Sequence, residues 1–137
     1  MKRKEFIEKL GIGAAFVLTS TCLGSCTRDS AEPIKDLDLI IDLTLEEYQE
    51  LNNFGSYIIK DQVVIARSNS GDYIAATHIC SHDQLPQITY NDTNGGWLCT
   101  AHAASFTEDG EGLNANGSKG LQIFKTELDG DILRVTS

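Results

Sequence analysis

The chain has 137 residues, is 41% apolar and carries a formal net charge of −9. That length holds one domain with little to spare, and so acidic a balance excludes a nucleic-acid surface built on clustered positive charge. With only four cysteines, two of them ahead of residue 27, there is no disulfide framework to expect.

The first 25 residues read as an export signal. Met1 to Lys9 is basic through Lys2, Arg3, Lys4 and Lys9, Gly11 to Leu18 is apolar, and Leu23-Gly24-Ser25-Cys26 follows. The ending resembles a bacterial lipobox, which makes Cys26 the expected lipidation site and mature N-terminus. Cys22 is the poorer candidate, because Thr19 stands three residues before it. The apolar run falls well short of the roughly 20 residues of a spanning helix, so a lipid anchor is favoured over a transmembrane one. Arg3-Lys4-Glu5-Phe6-Ile7 also looks like a weakened twin-arginine signal. Residues 26–37 read as a polar, flexible tether. Removing residues 1–25, with four basic and two acidic side chains, leaves the mature chain near −11.

From Asp38 onward the pattern is short β runs. Leu39 to Leu43 gives a first strand, and Thr44-Leu45-Glu46-Glu47 is a possible capping box opening one helical turn. Ser56 to Ile59 and Val63 to Ala66 flank Lys60-Asp61-Gln62 as a hairpin. Ser68 to Gly71 is a turn, and Tyr73 to Ile79 a strand. Ile88 to Tyr90 and Trp97-Leu98 flank the turn Asn91 to Gly96. Leu121 to Leu128 and Ile132 to Val135 make a closing hairpin around Asp129-Gly130. Many short strands with almost no helical periodicity predict an all-β fold, a small sandwich or barrel over 38–137.

Two clusters interrupt this scaffold: Cys80-Ser81-His82 and, sixteen residues on, Cys99-Thr100-Ala101-His102. Tetrahedral zinc sites usually pair like ligands, as C-x2-4-C with H-x3-5-H. Here each pair mixes one Cys with one His. That suits a two-iron centre in which each loop sends its Cys to one iron and its His to the other. Structural zinc and a Cys80–Cys99 disulfide compete with it, the latter leaving His82 and His102 without a reason for their offsets. His78 reads as a strand residue rather than a ligand.

The pairing of C-x-H with C-x-x-H resembles the Rieske family, in which two His replace two Cys on one iron of a [2Fe–2S] cluster. The resemblance runs from about Asp38 to Thr136. Phe106 and Gly110 match the aromatic and glycine after the second loop, and Gly120-Leu121 through Val135 resembles the closing hairpin. It implies a Rieske-like fold with a cluster-binding subdomain of two loops, one [2Fe–2S] cluster, and Cys80, His82, Cys99 and His102 as its ligands. Respiratory-complex members join the loops by a disulfide where this chain has Leu85 and Ala101. They also set Ser and Tyr hydroxyls near the sulfurs where this chain has Ala104 and Phe106. Such hydrogen bonds stabilise the added electron, so a potential low in the Rieske range of roughly −150 to +300 mV is expected. Glycines usual in the family are replaced by Gln84 and Ala103.

The implied function is one-electron transfer by an exported, lipid-anchored protein of the bacterial envelope, an electron carrier or oxidoreductase subunit rather than a stand-alone enzyme. Its acidity suits a basic redox partner. A Rieske oxygenase needs a second iron held by two His and a carboxylate, and this chain has three His in all. Two competing roles stand beside the carrier: a subunit of a quinol-oxidising complex and a zinc-stabilised non-redox module.

Overall fold

The computed structural model describes residues 33–137; the signal segment 1–25, Cys26 and the tether up to residue 32 lie outside the described residues. Two antiparallel sheets make up the domain. The larger contains β1 (Asp38–Asp42), β2 (Tyr57–Lys60), β3 (Val63–Arg67), β4 (Tyr73–Thr77), β8 (Ile123–Asp129) and β9 (Ile132–Thr136). Its order is β1-β9-β8-β4-β3-β2. The smaller holds β5 (Ile88–Tyr90), β6 (Trp97–Cys99) and β7 (Ser105–Phe106), in the order β5-β6-β7.

Strands β3 and β4 form the wall between two hydrophobic cores. Successive side chains of a strand point to opposite faces, and in Val63-Val64-Ile65-Ala66 every one is buried. Val63, Ile65 and Ala75 join Ile41, Leu51, Phe124, Leu133 and Val135 on one side. Val64, Ala66 and Ala76 join Cys80, Ile88, Trp97, Cys99, Ala104 and Phe106 on the other. Both cysteines of the paired motif are thus embedded in a core of their own.

The β2–β3 hairpin forms as the pattern predicts. Asp61 and Gln62 both take positive φ (49° and 66°), the conformation of a two-residue turn matched to strand twist. The closing hairpin forms one residue out of the expected register: Asp129 pairs with Ile132, so the turn is Gly130-Asp131. The segment after β1 differs more. Glu46–Asn52 is a 3-10 helix whose N-cap, Leu45, makes no side-chain cap bond. Thr44 instead donates through both its backbone N and Oγ1 to Asp42 Oδ1 (3.0 and 2.6 Å). The helix is held by Tyr48 and Leu51, which bury their side chains at the three-residue period of a 3-10 turn.

The end of the tether lies on the domain. Ile34 donates to Gln122 Oε1 (2.9 Å) and accepts from Gln122 Nε2 (2.8 Å). Leu37 and Ser137 bond in both directions, through the Ser137 hydroxyl and backbone. Among the described residues no helix is long and apolar enough to cross a membrane.

Candidate metal centre

The first loop connects β4 to β5, and the second connects β6 to β7. Their backbones follow the same path. Cys80 N–H donates to Leu85 O (2.9 Å) and Gln84 N–H to Cys80 O (2.8 Å). In the second loop Cys99 N–H donates to Ala104 O (2.8 Å) and Ala103 N–H to Cys99 O (2.9 Å). Each turn closes only if its fifth residue enters the left-handed region, and Gln84 (φ 60°) and Ala103 (φ 58°) both do. These are the two positions where the family resemblance expects glycine, the residue that adopts this conformation without steric cost.

The loops are joined side to side. Thr100 N–H donates to Gln87 O (3.0 Å) and its hydroxyl to Gln87 Oε1 (2.6 Å). The His102 imidazole donates through Nδ1 to Asp83 Oδ2. Leu85 and Ala101 are exposed, so noncovalent contacts join the loops where respiratory members have a disulfide. Behind the second loop, Asn114 Nδ2 donates to Ala103 O (2.7 Å) and Asn116 Nδ2 to His102 O (2.8 Å). The floor is the small sheet, where Trp97 and Tyr90 meet edge to face and Tyr90 Oη donates to Glu108 Oε1 (2.9 Å). Gly110 is required for that floor: at φ 88°, a Cβ here would meet Leu121 O at 2.4 Å.

This framework brings together all four residues of the paired motif. Cys80 and Cys99 are free thiols with no exposure, so the disulfide between them does not form. Burial pushes the Cys80 thiol up to about 11, while the backbone N–H groups of His82 and Asp83 work in the opposite direction. Those amides favour the thiolate that metal ligation requires. His82 and His102 are exposed, with ring centroids 5.3 Å apart. His78 is not among them; its Nδ1 pairs with Ile88 O (2.9 Å).

The donors sort by type. Cys80 and Cys99 form one group with Asp83, and His82 and His102 form another with the same Asp83, donor atoms within each lying inside 4.8 Å. Thiols and imidazoles do not merge into one four-donor group, as ligands at 2.0–2.3 Å from a single zinc would. Two like pairs, sulfur inside and nitrogen outside, fit two irons.

Asp83 has no part in the spacing pattern, yet it belongs to both groups. Its side chain is 12% exposed. Burial works to raise its carboxyl, but the Leu85 amide, the His102 imidazole and the Cys80 thiol outweigh that and hold it below the usual carboxylate range. It follows His82 in the chain but pairs with His102, nineteen residues on, so it is the fold and not the motif that places it.

The sequence model of the Rieske [2Fe–2S] domain matches residues 41–125. The chain belongs to the Rieske family. A Rieske domain binds one [2Fe–2S] cluster and transfers electrons, and the all-β architecture agrees with it. Among solved structures the chain is similar to the ferredoxin of carbazole 1,9a-dioxygenase from Nocardioides aromaticivorans IC177. Identity is 16% over 77% of this chain and 98% of that one, with a TM-score of 0.52. It is also similar to the plasma membrane Rieske protein PetC3 of Synechocystis PCC 6803, at 24% identity over 59% of this chain and 84% of that one, TM-score 0.49. A third is the quaternary ammonium Rieske monooxygenase CntA, at 18% identity and TM-score 0.52, over 64% of this chain but 29% of that one. No curated protein matches.

Proposed function

We propose that Cys80 and Cys99 hold one iron of the [2Fe–2S] cluster and His82 and His102 the other. In this reading the chain is a one-electron carrier tethered to a bacterial envelope membrane. The observation that carries the ligand assignment is the sorting of donors into a buried thiol pair and an exposed imidazole pair. When bound, the cluster supplies a site that accepts and releases one electron at moderate potential. The chain's own residues do the rest. The thiols lie within an apolar core that keeps water off the sulfur side, while the two imidazoles face the surface on which a partner can approach.

Ala104 and Phe106, in place of the hydroxyl-bearing residues of respiratory members, are fully buried beside the cysteines. They offer no O–H to the sulfurs, which supports a potential low in the Rieske range and a carrier rather than a quinol-oxidising subunit. The tether is proposed from the sequence: residues 1–25 removed, Cys26 lipidated, and 26–37 linking the anchor to the domain at 38–137. The acidic mature chain supports a partner with a basic docking surface.

Pulsed EPR on reduced protein labelled with 15N-histidine tests the ligand set. Two strongly coupled imidazole nitrogens are expected, one lost in each of His82→Ala and His102→Ala. Coupling that survives both substitutions would refute the assignment. Mass spectrometry of the membrane-extracted N-terminus, with Cys26→Ser releasing the protein, tests the anchor.

A further inference from the structure

Residues 33–37 belong to the domain rather than to a free tether. The side-chain amide of Gln122 clamps the Ile34 backbone through two bonds, and Leu37 exchanges two more with Ser137. Ile34 and Leu37 also pack against the core of Ile41, Phe124 and Val135. None of these contacts uses a ligand loop, so cluster binding leaves the strap in place. Its position matters. Gln122 directly precedes β8, and its carbonyl accepts from Thr77 N–H (3.0 Å), where β4 ends and the first ligand loop begins. Pro33 lines the same cavity, of about 370 Å3, as Ile79 and Ser81, the latter standing between Cys80 and His82. The strap thus leaves the domain at its cluster end. The other end of the sheet, the β8–β9 turn at Gly130-Asp131, lies beyond the length of β8, about 20 Å at roughly 3.3 Å per residue.

We propose that the strap holds the cluster end of the domain at the membrane, so that its electron partner is a protein embedded in that membrane rather than a soluble carrier. The inference rests on the lipid anchor at Cys26 proposed above. With Pro33 held on the domain, only residues 26–32 join the lipid to it. Seven residues reach at most about 25 Å even when fully extended. A soluble protein of about 100 residues has a radius of gyration of about 13 Å, hence a width of about 30 Å. It does not fit between the cluster end and the bilayer. A partner already in the bilayer meets the cluster end without entering that gap. A tether free over all of 26–37 would reach about 40 Å and impose no such restriction, so the clamp at Ile34 decides the matter.

The test uses the cluster-loaded, lipid-modified full chain on vesicles of phosphatidylethanolamine and phosphatidylglycerol that carry a gadolinium-chelate headgroup lipid. A nitroxide is attached at Ser118→Cys, next to Lys119 of the strap cavity, or at Asp131→Cys in the far turn; both positions are exposed. Relaxation by the lipid-borne gadolinium should be several-fold faster at position 118 than at position 131. For an upright domain the ratio is about tenfold, since about 20 Å is added to about 25 Å and the effect of a plane of spins falls as the fourth power of distance. A flexible Gly-Ser insert of about 20 residues after Glu32 lengthens the link without touching the domain, and should bring the ratio towards one. A ratio near one without the insert, or one that survives it, would overturn the inference. The partner class is read by electron transfer from the reduced cluster to added ferric cytochrome c, a soluble probe. On vesicles the chain without the insert should react several-fold more slowly than the chain with it, and in detergent the two should match. Equal rates on vesicles would overturn the membrane-embedded partner. A chain that does not float with the vesicles would instead overturn the anchor at Cys26, and the inference with it, before any relaxation was read.

Discussion

Replacing Gln84 and Ala103 with glycine should stabilise the protein, contrary to the usual effect of introducing glycine. Both residues sit at φ near 60° in the matched turns of the two loops. A left-handed conformation costs a side-chain-bearing residue roughly 1–2 kcal/mol. Glycine avoids that cost but loses more freedom on folding, by about 0.5–1 kcal/mol. The net gain is about 0.5–1 kcal/mol at each site, and on the order of 1–2 kcal/mol for the pair if the loops act independently. For a domain of this size each kcal/mol moves the melting point by about 4–8 °C. Thermal melts and urea midpoints of the full chain, followed by circular dichroism, would read the change. Ala101→Gly, in the same loop as Ala103 but outside the left-handed region, should instead lower stability. A Gln84→Gly/Ala103→Gly double variant that melts at or below wild type would refute the strain argument.

Gly110→Ala drives a Cβ to 2.4 Å from Leu121 O at φ 88° and should cost about 2 kcal/mol or more, read as a lower urea midpoint. Gln122→Ala removes both bonds that hold Ile34. Hydrogen exchange at the Ile34 amide should rise about tenfold, the equivalent of roughly one lost hydrogen bond, with the global melt little changed. The Arg134 side-chain hydrogen bond lowers the Asp38 carboxyl below its ordinary range. A depressed folded value stabilises above the unfolded value near pH 4 and is lost as pH falls through the folded one. The stability gap between wild type and Asp38→Asn should therefore be present at pH 7 and close on acidification; a gap that widens in acid would contradict this.

The ligand loops were legible because their chemistry is local: the spacing of Cys80, His82, Cys99 and His102 survives in one dimension. Hairpins were legible for the same reason, since Asp61-Gln62 and Gly130-Asp131 join strands adjacent in the chain. The pairings of β1 with β9 and of β4 with β8 were not, because they join residues far apart in sequence and depend on the shared cores. The one-residue slip at Gly130 reflects a turn whose register is set by that pairing as much as by its own residues. The box Thr44-Leu45-Glu46-Glu47 makes a helical turn legible at this place, but not its seven-residue length nor its N-cap at Leu45. The informative signal was the three-residue spacing of Tyr48 and Leu51, which buries one face of a 3-10 turn. Asp83 was invisible to motif spacing, because its role comes from folding two loops against each other.

The most direct test is iron and acid-labile sulfide analysis with EPR on the same dithionite-reduced sample of the purified full chain. Two irons, two sulfides and a rhombic Rieske signal per chain, all abolished together in Cys80→Ser and Cys99→Ser, are the predicted result. Zinc in place of iron, or a Cys80–Cys99 disulfide with no signal, would contradict an electron-transfer centre at these four residues.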